Sequence, residues 1–234
     1  MSDEHALRIT GYEFMKIKKL YGIKGARKAT GLTVVVDIFR AATTASYILS
    51  QGARYIIPVS TEEEAFLLKK ENPSFLIAGE QDGYKIKGFD YGNSPFEIST
   101  SDIRDKVIVH RTTQGTQGLL NAVSADTVIF GSFTTVSSLR DYIKTVLPQE
   151  ISIVAMDGPD SEDDKFAFFL EDMLLGGKPA IENVVDYLKT FRSSQKFLSP
   201  SISEFPKEDF YLSLEQDKFN FTVIFENKIL VKKL

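Results

Sequence analysis

The first group of side chains that could do chemistry in this 234-residue chain lies in residues 32–45, LTVVVDIFRAATTA. The unbroken apolar run before Asp37 predicts a strand buried on both faces, and Arg40 follows three residues after that carboxylate. The small residues beyond them favour a helix whose free backbone N–H groups attract anions. A ligand site explains this stretch, and so, equally well, does a helix cap formed by Asp37 and paired with Arg40.

A second carboxylate, Glu80, ends the apolar segment 75–78 in a similar way. If both strands run parallel, Asp37 and Glu80 meet at the same edge of a sheet, where ligands bind in open α/β folds. The segment 81–95 contains three glycines and a proline and has no sustained period. It therefore predicts a long loop over that edge, and long ordered loops are usually functional.

Hydroxyl and amide side chains follow another predicted strand in the segment RTTQGTQGL. Thr112, Thr113 and Thr116 offer hydroxyls beside Gln114, and Gly115 permits close backbone approach, as in an anion cradle. The segment is not a nucleotide-binding loop of the usual kind, because the G-x-x-x-x-G-K-[ST] spacing and its lysine are missing. A plain strand-to-helix turn explains the glycine and one threonine but not the whole set, so the favoured interpretation is an anion site.

Two further acidic stretches lie in the second half of the chain. Glu171 and Asp172 interrupt an apolar helix predicted over 166–175, where an unpaired buried carboxylate is costly, so they need water, a cation or a basic partner. The acidic run at 160–164 is most simply a solvated turn with a helix N-terminus beyond it.

The elements that must position these side chains alternate between strand and helix along most of the chain, which predicts an α/β fold. We expect one domain over 1–234, with three α/β/α layers, a largely parallel or mixed central sheet and a small C-terminal β-hairpin. Two closely packed subdomains with a boundary near 120–150 are the alternative. At the N-terminus, the sequence predicts a strand at 7–14 and a loop or short helix at 15–30. The C-terminal hairpin is predicted from strands at 220–225 and 228–231.

Composition narrows the function classes. The hydrophobic fraction of 43% is that of an ordinary globular protein, and the absence of cysteine removes disulfides and thiolate chemistry. A net charge of −4 leaves no basic field for nucleic acid, and the basic cluster at 16–28 is predicted to be a solvated surface. No apolar run approaches the roughly 18 residues of a membrane span. We therefore expect a soluble cytoplasmic protein with no nucleic-acid or membrane partner.

Five segments in this order, VVVDIFRAATTA, AGEQDGYKIKGFDYGNSP, RTTQGTQGL, FGSF and FFLEDMLLGG, resemble the 2-phosphosulfolactate phosphatase family. The resemblance runs from about residue 7 to the C-terminus. Members of that family are similar in being magnesium-dependent phosphatases with an α/β/α fold, which release phosphate and sulfolactate from 2-phospho-3-sulfolactate on the way to coenzyme M. The resemblance implies that activity, a Mg²⁺ cofactor and a small phosphorylated acid as ligand, and a homodimer is one expectation for the assembly.

Matched positions of the family motifs also imply site residues. Because carboxylate oxygens suit Mg²⁺, the implied metal ligands are Asp37, Glu80, Asp90 and Asp172. The implied catalytic residues are Asp37, Arg40, Glu80 and Asp172. The implied substrate and phosphate contacts, with Arg40 and the backbone of the glycine-containing turn holding the phosphate, are Arg40, Asn93, Ser94, Thr112, Thr113, Gln114, Gly115 and Thr116.

Three positions depart from the family motifs: Gln81 replaces an arginine, Gln114 an asparagine, and Met156-Asp157 a Cys-Ala pair. Losing the arginine removes a partner for a doubly anionic substrate, and Asp157 adds a negative charge. The sequence therefore leaves two functions open. One is a Mg²⁺-dependent phosphomonoesterase, whose substrate can differ from phosphosulfolactate; the other is a non-catalytic anion-binding or regulatory protein on the same fold.

Overall fold

The computed structural model describes residues 4–9, 12–199 and 204–234 and shows an α/β fold. Its strands are β1 (Glu4–Ile9), β2 (Tyr12–Tyr21), β3 (Gly31–Val36), β4 (Tyr55–Pro58), β5 (Leu76–Gln81), β6 (Tyr84–Lys85), β7 (Val107–Arg111), β8 (Ala125–Gly131), β9 (Glu150–Ala155), β10 (Thr222–Glu226) and β11 (Ile229–Lys233). Its helices are α1 (Gly22–Ala26), α2 (Ala41–Ser50), α3 (Glu62–Glu71), α4 (Pro95–Ser99), α5 (Gly115–Asn121), α6 (Val136–Val146), α7 (Glu162–Leu174), α8 (Ile181–Lys189), α9 (Gln195–Leu198) and α10 (Lys207–Ser213). In these ranges, no helix combines the length and the apolar character that crossing a membrane requires.

The strands form one mixed sheet in the order β1-β2-β9-β3-β8-β10-β11-β4-β7-β5-β6. Strands β2, β9, β3 and β8 pair in parallel, and so do β4, β7 and β5. The C-terminal hairpin β10–β11 lies between these two parallel groups and pairs antiparallel with β8 on one side and with β4 on the other. The predicted fold class and hairpin are confirmed, although the hairpin joins the sheet at its centre.

Helices cover both faces of the sheet because side chains alternate along each strand. Val34 and Val36 of β3 point into one core, where they join Phe166 of α7. Val35 points into the opposite core, where it joins Ile48 of α2. The apolar run of β3 is therefore buried on both faces, as its sequence predicts, and the layers are helix, sheet and helix.

The N-terminal prediction is wrong in part. Residues 15–30, expected to be a loop or short helix, include the end of β2 and the short helix α1; residues 10 and 11 of the predicted strand lie outside the described residues. In β2, buried Met15 and Ile17 alternate with half-buried Lys16 and Lys18, a period of two that is typical of a strand. This strand is stabilised by its parallel pairing with β9.

The basic cluster is therefore not a uniform solvated surface. Lys19, in the same strand, is buried and pairs with Glu171 of α7 across 2.7 Å. This ion pair also supplies the basic partner that an acidic group in the apolar helix α7 requires.

Candidate active site

A cleft of about 350 Å³ opens where the segments after β3, β5, β7 and β9 meet. β3 and β5 belong to different parallel groups, so the two predicted carboxylates meet here although their strands are not paired. The acidic residues that line the cleft are Asp37, Glu80, Asp82, Asp157, Glu162 and Asp163, and the basic ones are Arg40 and Lys196. This surplus of acidic groups sets the electrostatics of the site.

Asp37 follows β3 directly, as predicted, and lies buried at the wall of the cleft. Its Oδ1 accepts the N–H of Ala41 at 3.0 Å, so Asp37 does cap α2, while Oδ2 accepts no hydrogen bond from any residue in the described ranges. A Cβ on Gly115 would lie 2.5 Å from the Cβ of Ala41 and 2.7 Å from Oδ2, so this glycine permits α5 to approach both Asp37 and the start of α2 closely. Burial, followed by the neighbouring carboxylates led by Asp157, raises the pKa of Asp37 to about 7.

The first turn of α7 brings two further carboxylates to the cleft. Glu162 and Asp163 are each 3% exposed, so the prediction of a solvated acidic turn at 160–164 is wrong for them. Ser161 caps this helix by accepting the N–H of Asp164 at 3.2 Å. The physical reason lies in the short connection: β9 ends at Ala155 at the cleft, and a helix that starts only a few residues later must place its first turn there.

These two carboxylates differ in their hydrogen bonding. Asp163 accepts the N–H of Ile38 at 2.7 Å and the N–H of Asp157 at 3.0 Å, which braces the segments after β3 and β9 against each other. The carboxylate of Glu162 accepts the hydroxyl of Ser193 at 3.0 Å and is also stabilised by its own backbone N–H. Burial first and nearby carboxylates second raise the pKa of both groups.

Glu80 is held in β5 by a tight contact between strands. A side chain on Gly79, which has φ +144°, would lie 1.8 Å from the carbonyl oxygen of Arg111, so only glycine fits there. Glu80 Oε1 accepts the N–H of Thr113 at 2.6 Å, and Oε2 accepts the N–H of Gly83 at 2.6 Å and the Thr113 hydroxyl at 2.9 Å. Both oxygens of Glu80 therefore hold loops in place.

Arg40 lines the cleft but its charge is already paired. Its Nη1 donates to Asp209 of α10 at 2.7 Å, its Nη2 donates to the carbonyl of Gly83 at 2.9 Å, and its guanidinium lies 4.9 Å from the ring centre of Phe205. Arg40 is 4% exposed and Asp209 is fully buried. The partner of Arg40 is therefore Asp209 and not Asp37, which the sequence suggested.

Asn93 lines the cleft and is supported from behind by His110 of β7. The Asn93 Oδ1 lies 3.1 Å from His110 Nε2, and burial lowers the pKa of His110 to about 4, so the ring is neutral at neutral pH. A neutral ring that donates through Nε2 leaves the Asn93 amide nitrogen available to a ligand. Ser94, in contrast, caps α4 and donates to Asp209 at 2.8 Å, and it lines a neighbouring cavity.

The predicted anion cradle separates into two parts. Thr112 and Thr116 are buried, and the N–H of each donates to the hydroxyl of the other at 2.9 Å, so neither lines the cleft. Thr113 and Gln114 do line it. Thr113 is engaged with Glu80, whereas Gln114 is exposed and donates to Asp157 at 3.0 Å.

Asp90 lies outside the cleft. It accepts the N–H of Ile77 at 2.8 Å and the ammonium of Lys69 at 3.1 Å, and these bonds fasten its loop to β5 and α3. The expectation that Asp90 belongs to a metal site with Asp37 does not agree with this placement, because its carboxylate has local partners instead.

Asp172 is also outside the cleft. It is exposed near the C-terminal end of α7, nine residues after Asp163, and a helix rises about 13 Å over that distance. Of the two neighbouring acidic residues, Glu171 forms a structural ion pair with Lys19. Asp172 lies away from the site that the resemblance implied for it.

The C-terminal half of the chain supplies residues that the sequence analysis missed. Lys196 of α9 lines the cleft, with its ammonium 5.2 Å from the ring centre of Phe197 and 5.1 Å from that of Phe205. No sequence pattern marks Lys196, because α9 is four residues long and reaches the cleft only through tertiary packing. The capping pattern at Ser161, followed by acidic residues just after a strand, is a signal that could have found Glu162 and Asp163.

The donor set of the cleft suits a hard cation and an anion together. Among the described residues, no three acidic or histidine side chains are already gathered around one metal position. Mg²⁺ usually takes one or two carboxylates, several waters and a phosphate oxygen, so a crowded cage is not required. Asp37, with its uncommitted Oδ2, is the first candidate to hold a cation, Asn93 and Gln114 supply amide donors for an anion, and Lys196 adds a separate positive charge to the cleft.

Comparisons with known proteins give a consistent family. The model of the family described as 2-phosphosulpholactate phosphatase matches residues 20–228. A protein of Carboxydothermus hydrogenoformans named "Probable 2-phosphosulfolactate phosphatase" is 38% identical over 186 residues, which is 79% of this chain and 74% of that protein. Proteins of the same name from Caldicellulosiruptor saccharolyticus and Bacillus subtilis are 39% identical over 145 residues (62% of this chain, 59% of that protein) and 28% identical over 181 residues (76% and 79%).

Proposed function

The chain belongs to the 2-phosphosulpholactate phosphatase family, a family of phosphoric monoester hydrolases, and on this premise we propose that it is a Mg²⁺-dependent phosphatase. The proposed reaction is hydrolysis of 2-phospho-3-sulfolactate to 3-sulfolactate and phosphate. The single observation that supports it best is the cleft itself. It combines several buried carboxylates, which outnumber the positive charges beside them, with amide donors, and these are groups that a metal-bound phosphate ester requires.

The carboxylates of the cleft fit Mg²⁺ in chemistry and charge. Asp37 would hold the cation through its unbonded Oδ2, with Asp157 or Glu162 as the second carboxylate, because each of those two accepts only one side-chain donor in the described ranges. When bound there, Mg²⁺ would act as a Lewis acid toward a phosphoryl oxygen. A divalent cation would also offset the charge repulsion that contributes to the raised pKa of Asp37.

The chain's own residues have separate tasks in this proposal. The Asn93 amide, oriented by His110, and the Gln114 amide would donate to the phosphoryl oxygens. Asp163 would keep the segments that carry Asp37 and Asp157 at a fixed separation, since it accepts a backbone N–H from the second residue after the end of β3 and of β9. Glu80 would hold the opposite loops in the same way.

Phosphate release from 2-phospho-3-sulfolactate by the purified chain tests the proposal. We expect turnover with Mg²⁺, loss of turnover after EDTA, and recovery when Mg²⁺ is returned. Phosphate binding without turnover of any ester would favour the non-catalytic protein. Turnover of other phosphate esters but not of this one would keep the phosphatase and reject the substrate.

A further inference from the structure

The two basic residues of the cleft differ in whether an acidic side chain already pairs with them. Arg40 is buried with Asp209, and their charges offset each other at 2.7 Å. Lys196 makes no ion pair or hydrogen bond with any side chain in the described part of the chain, although its charge acts on Glu162 of the same cleft and partly offsets the raised pKa of that carboxyl. It is therefore the cation that this part of the cleft leaves for a ligand.

The surroundings of Lys196 favour a particular kind of anion. Lys196 is half-buried, and its ammonium lies near the ring faces of Phe197 and Phe205, which cover more of it than an open surface would. Because part of its hydration is already replaced by the rings, pairing such an ammonium with a weakly hydrated anion costs little further desolvation. A sulfonate is such an anion, and it stays ionised at every working pH.

The positions of the acid groups on the proposed substrate also favour a separate site for the sulfonate. Its phosphate and carboxylate are both attached to C2, whereas the sulfonate is attached to C3. If the phosphate lies among Asp37, Asn93 and Gln114, the sulfonate must lie elsewhere in the cleft and must avoid the acidic groups that line most of it. Resting on the proposed function, we infer that Lys196 binds the sulfonate of the substrate and is a specificity-determining residue.

With Lys196 in this role, the arginine that the family motif has at position 81 is not needed to bind the sulfonate. Gln81 is exposed, donates to Asp82 Oδ2 at 3.1 Å and does not line the cleft. The positive charge that pairs with the sulfonate of the substrate therefore comes from Lys196 in the C-terminal segment and not from the loop after β5.

Two matched esters test the role of Lys196: 2-phospho-3-sulfolactate, and 2-phospholactate, which lacks only the sulfonate. In Lys196→Gln we expect kcat/KM for the sulfonated ester to fall by about tenfold or more, mainly through KM, and kcat/KM for 2-phospholactate to stay within about twofold. Lys196→Arg should recover most of the loss. Lys207→Gln is the matched control, because Lys207 is exposed, lies near one ring, Tyr211, and is outside the cleft. An equal loss on both esters would place Lys196 on the phosphate or carboxylate and overturn the inference, and so would no loss on either.

A binding measurement separates this inference from the proposed reaction. Calorimetry with 3-sulfolactate and with lactate, which again differ only by the sulfonate, needs no turnover. We expect the wild-type chain to bind 3-sulfolactate about tenfold more tightly and Lys196→Gln to bind both equally. If the wild-type chain hydrolyses no ester but shows this difference, the proposed function fails and the sulfonate site stands. If the wild-type chain hydrolyses the sulfonated ester while Lys196→Gln keeps the full preference for sulfolactate, the function stands and the site fails.

Discussion

Asp37 and Glu80 look alike in the sequence, since each is a carboxylate at the end of an apolar strand, but the structure gives them different environments. Glu80 accepts three hydrogen bonds from Gly83 and Thr113. Asp37 accepts one, from Ala41, and lies beside the acidic groups that follow β9. In the described structure, donors fill both oxygens of Glu80, whereas a single backbone N–H compensates Asp37 and its Oδ2 has no donor.

Position at a strand end does not by itself make a carboxylate a metal ligand. A group whose oxygens are filled by backbone N–H groups contributes to the structure, and a cation would have to displace those donors. A buried group with an empty oxygen and like charges nearby gains most from a cation. The predictions below test whether Asp37 and Glu80 differ in this way.

The substitution Asp37→Asn is expected to change phosphatase activity more than any other. It keeps an oxygen that can accept the Ala41 N–H and removes the negative charge. We expect phosphatase activity to fall by about 100-fold or more, because the first candidate cation ligand is lost. Asp172→Asn is the matched control, since Asp172 is an exposed aspartate outside the cleft. An Asp37→Asn enzyme with wild-type rate and wild-type Mg²⁺ dependence would remove Asp37 from the site.

The same substitution should stabilise the metal-free protein at high pH. The pKa of Asp37 is raised from 3.8 to about 7 in the folded chain, so ionising it costs up to about 4 kcal/mol above pH 7. This cost shrinks as pH falls from 7 toward 3.8 and is absent below that range. Thermal melts without Mg²⁺ should therefore show Asp37→Asn melting above wild type at pH 8 and level with it near pH 4. Equal melting temperatures at pH 8 would contradict the uncompensated charge.

A smaller stabilisation is expected from Mg²⁺ itself. At a hundredfold excess over its dissociation constant, a ligand that binds only the folded state adds about 2.7 kcal/mol. We expect Mg²⁺ to raise the melting temperature of the wild-type chain at pH 8 and to raise it less at pH 5, where Asp37 is protonated. Asp37→Asn should show little shift at either pH. A full Mg²⁺ shift in that variant would mean that the cation is held elsewhere.

Glu80→Gln should have the opposite sign of effect on stability. The amide nitrogen cannot accept an N–H, so at least one charge-assisted hydrogen bond is lost, at about 1.5–3 kcal/mol. For a chain of this length that lowers the melting temperature by roughly 3–12 °C. Activity at saturating Mg²⁺ should stay within about tenfold of wild type. If Glu80→Gln instead melts higher and loses its Mg²⁺ shift, Glu80 is a ligand like Asp37 and the contrast between them fails.

The smallest effect is expected at Gln81. Because Gln81 is exposed and outside the cleft, Gln81→Arg should change kcat/KM for 2-phospho-3-sulfolactate by less than about twofold. The measurement uses the same ester pair as Lys196→Gln. A selective gain of about tenfold on the sulfonated ester would show that the loop after β5 contacts the substrate. The specificity for the sulfonate would then belong to that loop and not to Lys196.

Much of the architecture could be predicted because its signals are local. The apolar run of β3, the capping pattern of α3 and the turn between β10 and β11 each lie within a few residues, so periodicity and propensity were enough to find them. The strand β2 was missed because alternating lysines resemble a polar loop until β9 provides a pairing partner. The fold class was confirmed, whereas the central place of the hairpin was not predictable, since it depends on pairing between distant strands.

Local sequence patterns are enough to place Asp37 after a buried strand, Glu80 at the end of another, and polar loops around them. Which of these carboxylates have hydrogen-bond donors or positive charges beside them depends on tertiary packing. Arg40 is paired with a residue 169 positions away, and Glu162, Asp163 and Lys196 reach the cleft through the packing of α7 and α9. The physical reason is that secondary structure follows from short-range geometry, whereas the charge state and availability of a side chain depend on burial and on every charge and donor within a few ångströms, whatever their distance along the chain.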